Sequence, residues 1–188
     1  SGVISGGHTD MHRVDGEGET RWLGGTRDDA LGEAFDKVAA VMGLGYPGGP
    51  IVEKTALKGD PTAVKLPRTL LGEDSLDFSF SGIKTAVLYK WRGMNAVHED
   101  KAPDAPSPED LCASFQTAVI QILTTKLINA AKEHKVPRIA LSGGVACNTA
   151  LRDLVKKRSS DNGIELFLVK KKYSTDNAAM IARAAAER

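Results

Sequence analysis

Two short glycine loops, each closing an apolar strand-like stub, constrain this chain more than any other feature. Ser5-Gly6-Gly7-His8-Thr9 follows Val3-Ile4, and Ser142-Gly143-Gly144-Val145-Ala146-Cys147-Asn148 follows Ile139-Ala140-Leu141. Glycines at a strand's end let backbone N–H groups approach an anion with no Cβ in the way. One such loop also reads as an ordinary turn. Two of them, joined by a third cluster at Tyr46-Pro47-Gly48-Gly49-Pro50, point to a nucleotide or phosphate ester held between several loops.

With 188 residues, 41% of them hydrophobic and 26% charged, the chain is expected to form one globular domain with a proper core. Its formal charge of +1 offers no global attraction to nucleic acid, so any RNA contact would use local patches. Lys156-Lys157-Arg158 and Lys170-Lys171-Lys172 are the two candidates, although on charge alone both read as solvated surface. Cys112 and Cys147 form neither a disulfide framework nor a zinc pattern, which fits a reducing, cytoplasmic setting. No apolar run approaches the roughly 18 residues of a membrane span, so no membrane role is expected. The chain opens directly on a strand, as a fragment would.

Residues 3–14 and 20–24 read as a hairpin, with Asp15-Gly16-Glu17-Gly18 as a turn. Leu31, Ala34, Phe35, Val38, Val41 and Met42 recur at helical spacing, predicting a helix over 28–42. Thr26 and Asp29 would form its capping box, and Gly43 its stop. A short helix is expected over 51–59, an irregular stretch over 60–76, a strand over 77–82 and a helix over 83–92. Residues 93–106 read as a mobile loop. Ser107-Pro108-Glu109-Asp110 is a helix start, with a cap, a first-turn proline and acids at the positive dipole end. That helix should reach residue 135. A strand at 138–142, a helix at 149–158, a strand at 164–170 and a helix from Asn177 complete an α/β pattern with a mixed sheet.

Several residues carry two readings. His8 and His12 are four apart on a strand, a span of about 13 Å that no single ion bridges. His98 falls in the loop and His134 near a helix end, where the dipole is explanation enough. Asp29 and Asp36 share a helix face with Gly32 and Glu33, which would bind ribose hydroxyls or simply face solvent. Asn148 and Asp176 would cap helices or reach a ligand. Lys84 would face a phosphate, but its position alone does not show it. Phe78 and Phe80 read as core, and Cys147 as a small loop residue.

Taken together these strings resemble the TsaD family of tRNA threonylcarbamoyladenosine transferases. The carrying residues are Ser5 to Thr9, Asp28-Asp29-Ala30, Gly32 to Lys37, Tyr46 to Pro50 and Asp77 to Gly82, then Ser142 to Ala146, Asn148, Leu151-Arg152 and Thr175 to Ile181. The resemblance implies an actin-like, sugar-kinase-type (ASKHA) ATPase fold built from two ribonuclease-H-like lobes. Residues 1–175 would be the second lobe, with helical insertions, and 176–188 the start of the closing C-terminal helix; the first lobe would lie outside these residues. It further implies transfer of a threonylcarbamoyl group from its adenylate to N6 of the adenosine 3′ of the anticodon, in tRNAs reading codons that begin with A. Val3, Ile4, Ser5, Gly6, Gly7, Asp36, Gly49 and Asn148 match substrate- and nucleotide-binding positions, with Glu53 a weaker match. Asp176 matches a metal-binding aspartate. The implied cofactors are a divalent metal, Fe2+ by family habit, and ATP, ADP or threonylcarbamoyl-adenylate. The implied partners are tRNA and TsaB-like and TsaE-like accessory proteins.

One departure bears on the chemistry. The family's two metal-binding histidines lie in the first lobe, upstream of the first glycine loop, a segment this sequence does not include, so weak or absent metal binding is expected of the chain alone. The complete protein would carry out acyl transfer without a covalent enzyme intermediate. No Ser-His-Asp or Cys-His set supports the family's older endopeptidase label. Another carbamoyltransferase or sugar kinase of the same fold, or a non-catalytic nucleotide-binding scaffold, are the alternatives.

Overall fold

Alternation in the first hairpin sets the sheet. Ile4, Thr9 and Met11 point into the core, while Val3 and Val14 are exposed. The computed structural model describes residues 1–16, 19–68, 72 and 75–186; the expected turn at Glu17-Gly18, part of the 60–76 stretch and the last two residues lie outside the described residues. Strands β1 (Gly2–Ile4), β2 (Thr9–Val14) and β3 (Thr20–Gly25) form an antiparallel meander, joined by β4 (Arg138–Ser142) and β5 (Glu165–Leu168). The strand order is β3-β2-β1-β4-β5, with β1, β4 and β5 parallel and β2 the reversed strand. A bulge falls between Met11 and His12, where the partner strand skips Leu23.

One sheet face packs on helices; the other leaves Trp22, Ala140 and Phe167 exposed. The helices are α1 (Leu31–Val41), α2 (Gly48–Ala56), α3 (Ser81–Arg92), α4 (Pro108–Glu133), α5 (Thr149–Asp161) and α6 (Ala178–Ala186). Helix α4 runs through the centre, packing on α2, α5, α3 and β4. Its Phe115 meets Phe35 of α1 edge-on, with ring centroids 5.1 Å apart. By length and composition α4 is apolar enough to cross a membrane, contrary to the sequence reading, but most of that stretch is buried within the domain.

Most predicted elements appear, with four local differences. The 51–59 helix begins earlier, at Gly48, because Pro47 serves as its N-cap and the two glycines form its first turn. The 77–82 strand reduces to one bridge between Thr26 and Phe78, while Phe78 and Phe80 are fully buried and stacked 5.9 Å apart. The 93–106 loop is pinned by buried Ala102, whose N–H donates to the Trp91 carbonyl. The Thr26–Asp29 capping box does not form. Thr26 Oγ1 donates to the Asp29 carbonyl, and the N-cap of α1 is Ala30, which offers no side-chain cap.

The first N–H of α1, on Leu31, instead donates to Oγ1 of buried Thr9 at 2.8 Å. Asp28 does the same for α3 from outside that helix. Its carboxylate accepts from the Phe80 N–H at 2.8 Å, the Ser79 and Ser81 hydroxyls and the Ser81 N–H. Burial pushes this carboxyl's pKa up, but the hydrogen bonds outweigh it and leave it lowered. Asp29 is lowered in the same contest, against burial, by Lys37 and Lys84. Lys84 is therefore held by a carboxylate rather than left free for a phosphate.

Asp28→Ala removes a helix cap and is expected to lower stability at pH 7 by about 1–2 kcal/mol, measured by urea unfolding. A carboxyl whose pKa is lowered on folding stabilises above its unfolded value near 4 and loses that contribution as pH falls through its folded value. The difference between wild type and variant should therefore shrink when unfolding is repeated below pH 4.

Candidate nucleotide cleft

The carboxyl ends of β1 and β4 lie side by side, and the chain leaves them in opposite directions. From β1 it returns to β2; from β4 it passes through α5 to β5. Ligands of open α/β sheets bind in the crevice at such a point of divergence. Here both glycine loops emerge at it.

Close backbone contact holds the loops together. Gly143 has φ +96, and a Cβ on it would sit 2.2 Å from the Ile4 carbonyl oxygen. A Cβ on Gly32 would meet the Gly6 Cα and the Ser5 carbonyl oxygen at 2.7 Å, so α1 rests directly on the first loop. The Gly32 N–H donates to that same Ser5 carbonyl. Gly48 likewise presses α2 against Asp36 and Phe35 of α1.

These contacts frame a cleft of about 420 Å³. It brings together Gly6, Asp36, Gly49, Glu53 and Asn148 from the sequence-predicted set. Val3, Ile4, Ser5 and Gly7 do not line it. Ile4 is wholly buried, Val3 faces the open side of the sheet, and Ser5 is engaged in the turn with His8. Asp176 is exposed and outside the lining, although Thr175 is part of it. Nor does Asp176 cap the last helix: Asn177 Oδ1 accepts from the Met180 N–H.

The side chains predicted to reach a ligand are already tied to helix N-termini. Asp36 accepts from the Gly48 N–H at 2.7 Å, at the start of α2. Glu53 accepts from the Thr149 N–H at 2.8 Å, linking α2 to the start of α5. Asn148 caps α5 through the Leu151 N–H and donates to Gln116 of α4 at 2.8 Å. Both readings of Asn148, cap and cleft residue, thus meet in one buried side chain.

Backbone groups remain free to face the cleft. The N–H groups of Gly6, Gly144 and Val145 donate to no partner among the described residues. Cβ atoms built on Gly6 and Gly49 would meet nothing within 4 Å, and one on Gly144 only Thr175 Cγ2 at 4.0 Å. Neither a left-handed φ nor a neighbouring atom requires glycine at these three positions. Without a Cβ, each leaves bare backbone facing the cleft, open to close approach. Sequence reasoning reached Gly32 only as part of a helix face shared with Asp29 and Asp36, and Gly144 only as part of the second glycine loop; it did not assign Thr175 to the site.

A metal fits poorly. Among the described residues no group of three or more His, Cys, Asp or Glu side chains converges to hold an ion, and Asp176 offers one exposed carboxylate. The two classes of glycine make a direct comparison. Gly32→Ala is expected to lose about 1–3 kcal/mol in urea unfolding, because backbone atoms must move. Gly49→Ala, in a helical first turn facing open space, should hold or slightly gain stability.

Comparison with known proteins gives the family. The family model described as "TsaD: tRNA N6-adenosine threonylcarbamoyltransferase" matches residues 2–183. The tRNA N6-adenosine threonylcarbamoyltransferase of Geobacter metallireducens is 50% identical over 180 residues, covering 96% of this chain and 51% of that protein. Those of Trichlorobacter lovleyi and Geobacter sulfurreducens are 49% and 48% identical, over 96% of this chain and 51% of each. The chain thus spans about half the length of the curated relatives it matches. Among solved structures, T. kodakarensis HypF superposes with a TM-score of 0.56 at 19% identity, over 89% of this chain and 20% of HypF. A full-length HypF in its phosphate- and nucleotide-bound form gives 0.56 at 18%, over 82% of this chain and 22% of that one. These two establish likeness of fold alone. Matched by one family model over residues 2–183, nearly its whole length, the chain belongs to the TsaD family of tRNA N6-adenosine threonylcarbamoyltransferases.

Proposed function

We propose that this chain forms the nucleotide-binding half of an enzyme that transfers threonylcarbamoyl from its adenylate to N6 of the adenosine 3′ of the anticodon. The observation that carries it is the meeting of Gly6, Gly49 and Gly144, from three separate segments, around one cleft. An actin-like architecture, with residues 1–175 as the second ribonuclease-H-like lobe and 176–188 opening the closing helix, is supported by the 3-2-1-4-5 strand order with β2 reversed. The likeness to a nucleotide-bound HypF supports the same reading.

In this arrangement the N–H groups of Gly6, Gly144 and Val145 hold the adenylate phosphate, and α2 presents its positive end through Gly49. Asp36, Glu53 and Asn148 fix the helix ends that carry these groups. Within Val3 to Gly7 it is Gly6 that reaches the cleft, and it contributes backbone rather than a side chain. The adenosine amine attacks the carbamoyl carbonyl, a C–N bond forms, and the C–O bond to phosphate breaks. AMP leaves with the electron pair, and the proton lost from the amine passes to water. Phosphate-facing N–H groups stabilise charge on the leaving group, and the complete enzyme would have to exclude water from the cleft to keep it from competing with the amine. A divalent metal, iron by resemblance, would need ligands besides Asp176, and no step here runs through it. The enzyme would act on tRNA in the cytoplasm, with TsaB-like and TsaE-like accessory proteins.

Calorimetric titration of the chain with ADP and with a stable threonylcarbamoyl-adenylate analogue tests the reading. Gly49→Ala should weaken both at least about tenfold with no loss of thermal stability, a cost near 1.4 kcal/mol. Asp36→Ala and Asn148→Ala should weaken binding together with stability. A folded chain that binds neither ligand, or a Gly49→Ala variant that binds as wild type, would overturn it.

A further inference from the structure

The turn between β5 and α6 carries Lys170, Lys171, Lys172 and Tyr173, all exposed. It lies at the carboxyl edge of the sheet, on the rim of the cleft. Lys171 Nζ is 3.3 Å from Thr149 Oγ1 at the start of α5, and the Lys171 carbonyl accepts from Sγ of the cleft residue Cys147 at 3.7 Å. Two residues past Tyr173, Thr175 lines the cleft itself.

The turn is held rather than loose. Tyr173 and Ser174 donate their N–H groups back to Lys170 and Lys171, closing a 3-10 turn over a buried Ser174. Arg152 Nη1 donates to the Ala146 carbonyl at 2.9 Å and the Val169 carbonyl at 3.1 Å, tying the end of β5 to the second glycine loop. No carboxylate pairs with the three ammonium groups among the described residues, whereas Arg13, Arg27, Lys37, Lys84 and Arg138 all have acidic partners. Lys172 Nζ instead lies 4.7 Å from the Tyr173 ring centroid, keeping that exposed ring beside the charge. Three unneutralised cations and an aromatic ring on a fixed turn form a surface suited to a phosphodiester backbone and a stacked base.

We propose that the Lys170–Tyr173 turn binds the sugar-phosphate backbone of the RNA substrate at the mouth of the cleft. This rests on the reading of the cleft as a tRNA-modifying site. An acidic protein surface could meet the same charges, but Tyr173 and the adjoining cleft favour RNA, whose target base must enter there.

Fluorescence anisotropy with a labelled tRNA that reads a codon beginning with A, over a series of salt concentrations, tests it. Each lost phosphate contact lowers the slope of log affinity against log salt by about 0.7 to 0.9. The triple Lys170→Gln, Lys171→Gln, Lys172→Gln variant should lower the slope by about 2 and weaken binding at least about tenfold near 0.1 M salt. Arginine at the same positions should preserve both. The Lys156→Gln, Lys157→Gln, Arg158→Gln variant removes equal charge about 10–14 Å along α5 and should change the slope far less. Equal effects from the two glutamine triples, or unchanged tRNA binding by the first, would overturn the proposal while leaving the nucleotide cleft intact. A wild-type chain that binds ADP but no tRNA would overturn the RNA reading as well.

Discussion

The contact between Gly143 and the Ile4 carbonyl is the constraint on which this architecture depends. A side chain at position 143 would overlap the backbone of β1, and its φ of +96 is one that glycine adopts without strain. Because β1 and β4 are parallel neighbours, this approach brings their two carboxyl-end loops to the same place. Gly32 then seats α1 on the first loop, and Gly48 seats α2 on α1. The cleft is what remains between loops and helices that cannot be drawn closer.

Long-range caps keep those helices in place. Thr9 satisfies α1 from a strand 22 residues earlier, Asp28 satisfies α3 from more than 50 residues away, and Glu53 reaches Thr149 of α5 across 96. An unmet N–H at a buried helix end is expensive, which gives the buried Thr9–Leu31 pair its weight, while all three pairs fix a distance between separate elements. Asn148 extends the scheme, since it caps its own helix and reaches Gln116 on α4. Loop, helix and core are thereby joined through one buried amide.

This division explains what was legible in the sequence. Ser107 caps α4 through the Asp110 N–H as its local pattern indicates, and the periodicity around Phe35 and Val38 places α1 within a few residues. Thr26 and Asp29 mimic a local cap, but the true donor–acceptor pair lies outside any window a local pattern can see. The strand at 77–82 fails for a related reason: Phe78 and Phe80 alternate like a strand, yet both rings enter one core and the intervening Ser79 hydroxyl goes to Asp28. In the cleft, Gly6, Asp36, Gly49, Glu53 and Asn148 were recognisable by resemblance. That the acids and the amide hold helix ends, leaving the approach to backbone groups, follows only from their partners in three dimensions.

The glycines at 6, 49 and 144 set the fold against the cleft. Each leaves more freedom in the unfolded chain than alanine would, a cost of about 0.5–1 kcal/mol where regular structure is formed. Nothing in the protein's own packing asks for them, unlike Gly32, Gly48 and Gly143, whose neighbours would collide with any Cβ. A long central helix with Leu111, Phe115, Val119, Leu123 and Leu127 buried gives the domain a core that can offset such costs. Stability is thus drawn from the middle of the molecule, and bare backbone is kept at the sheet's carboxyl edge. The proposed recognition of a phosphate through N–H groups, and not through charged side chains, depends on that separation.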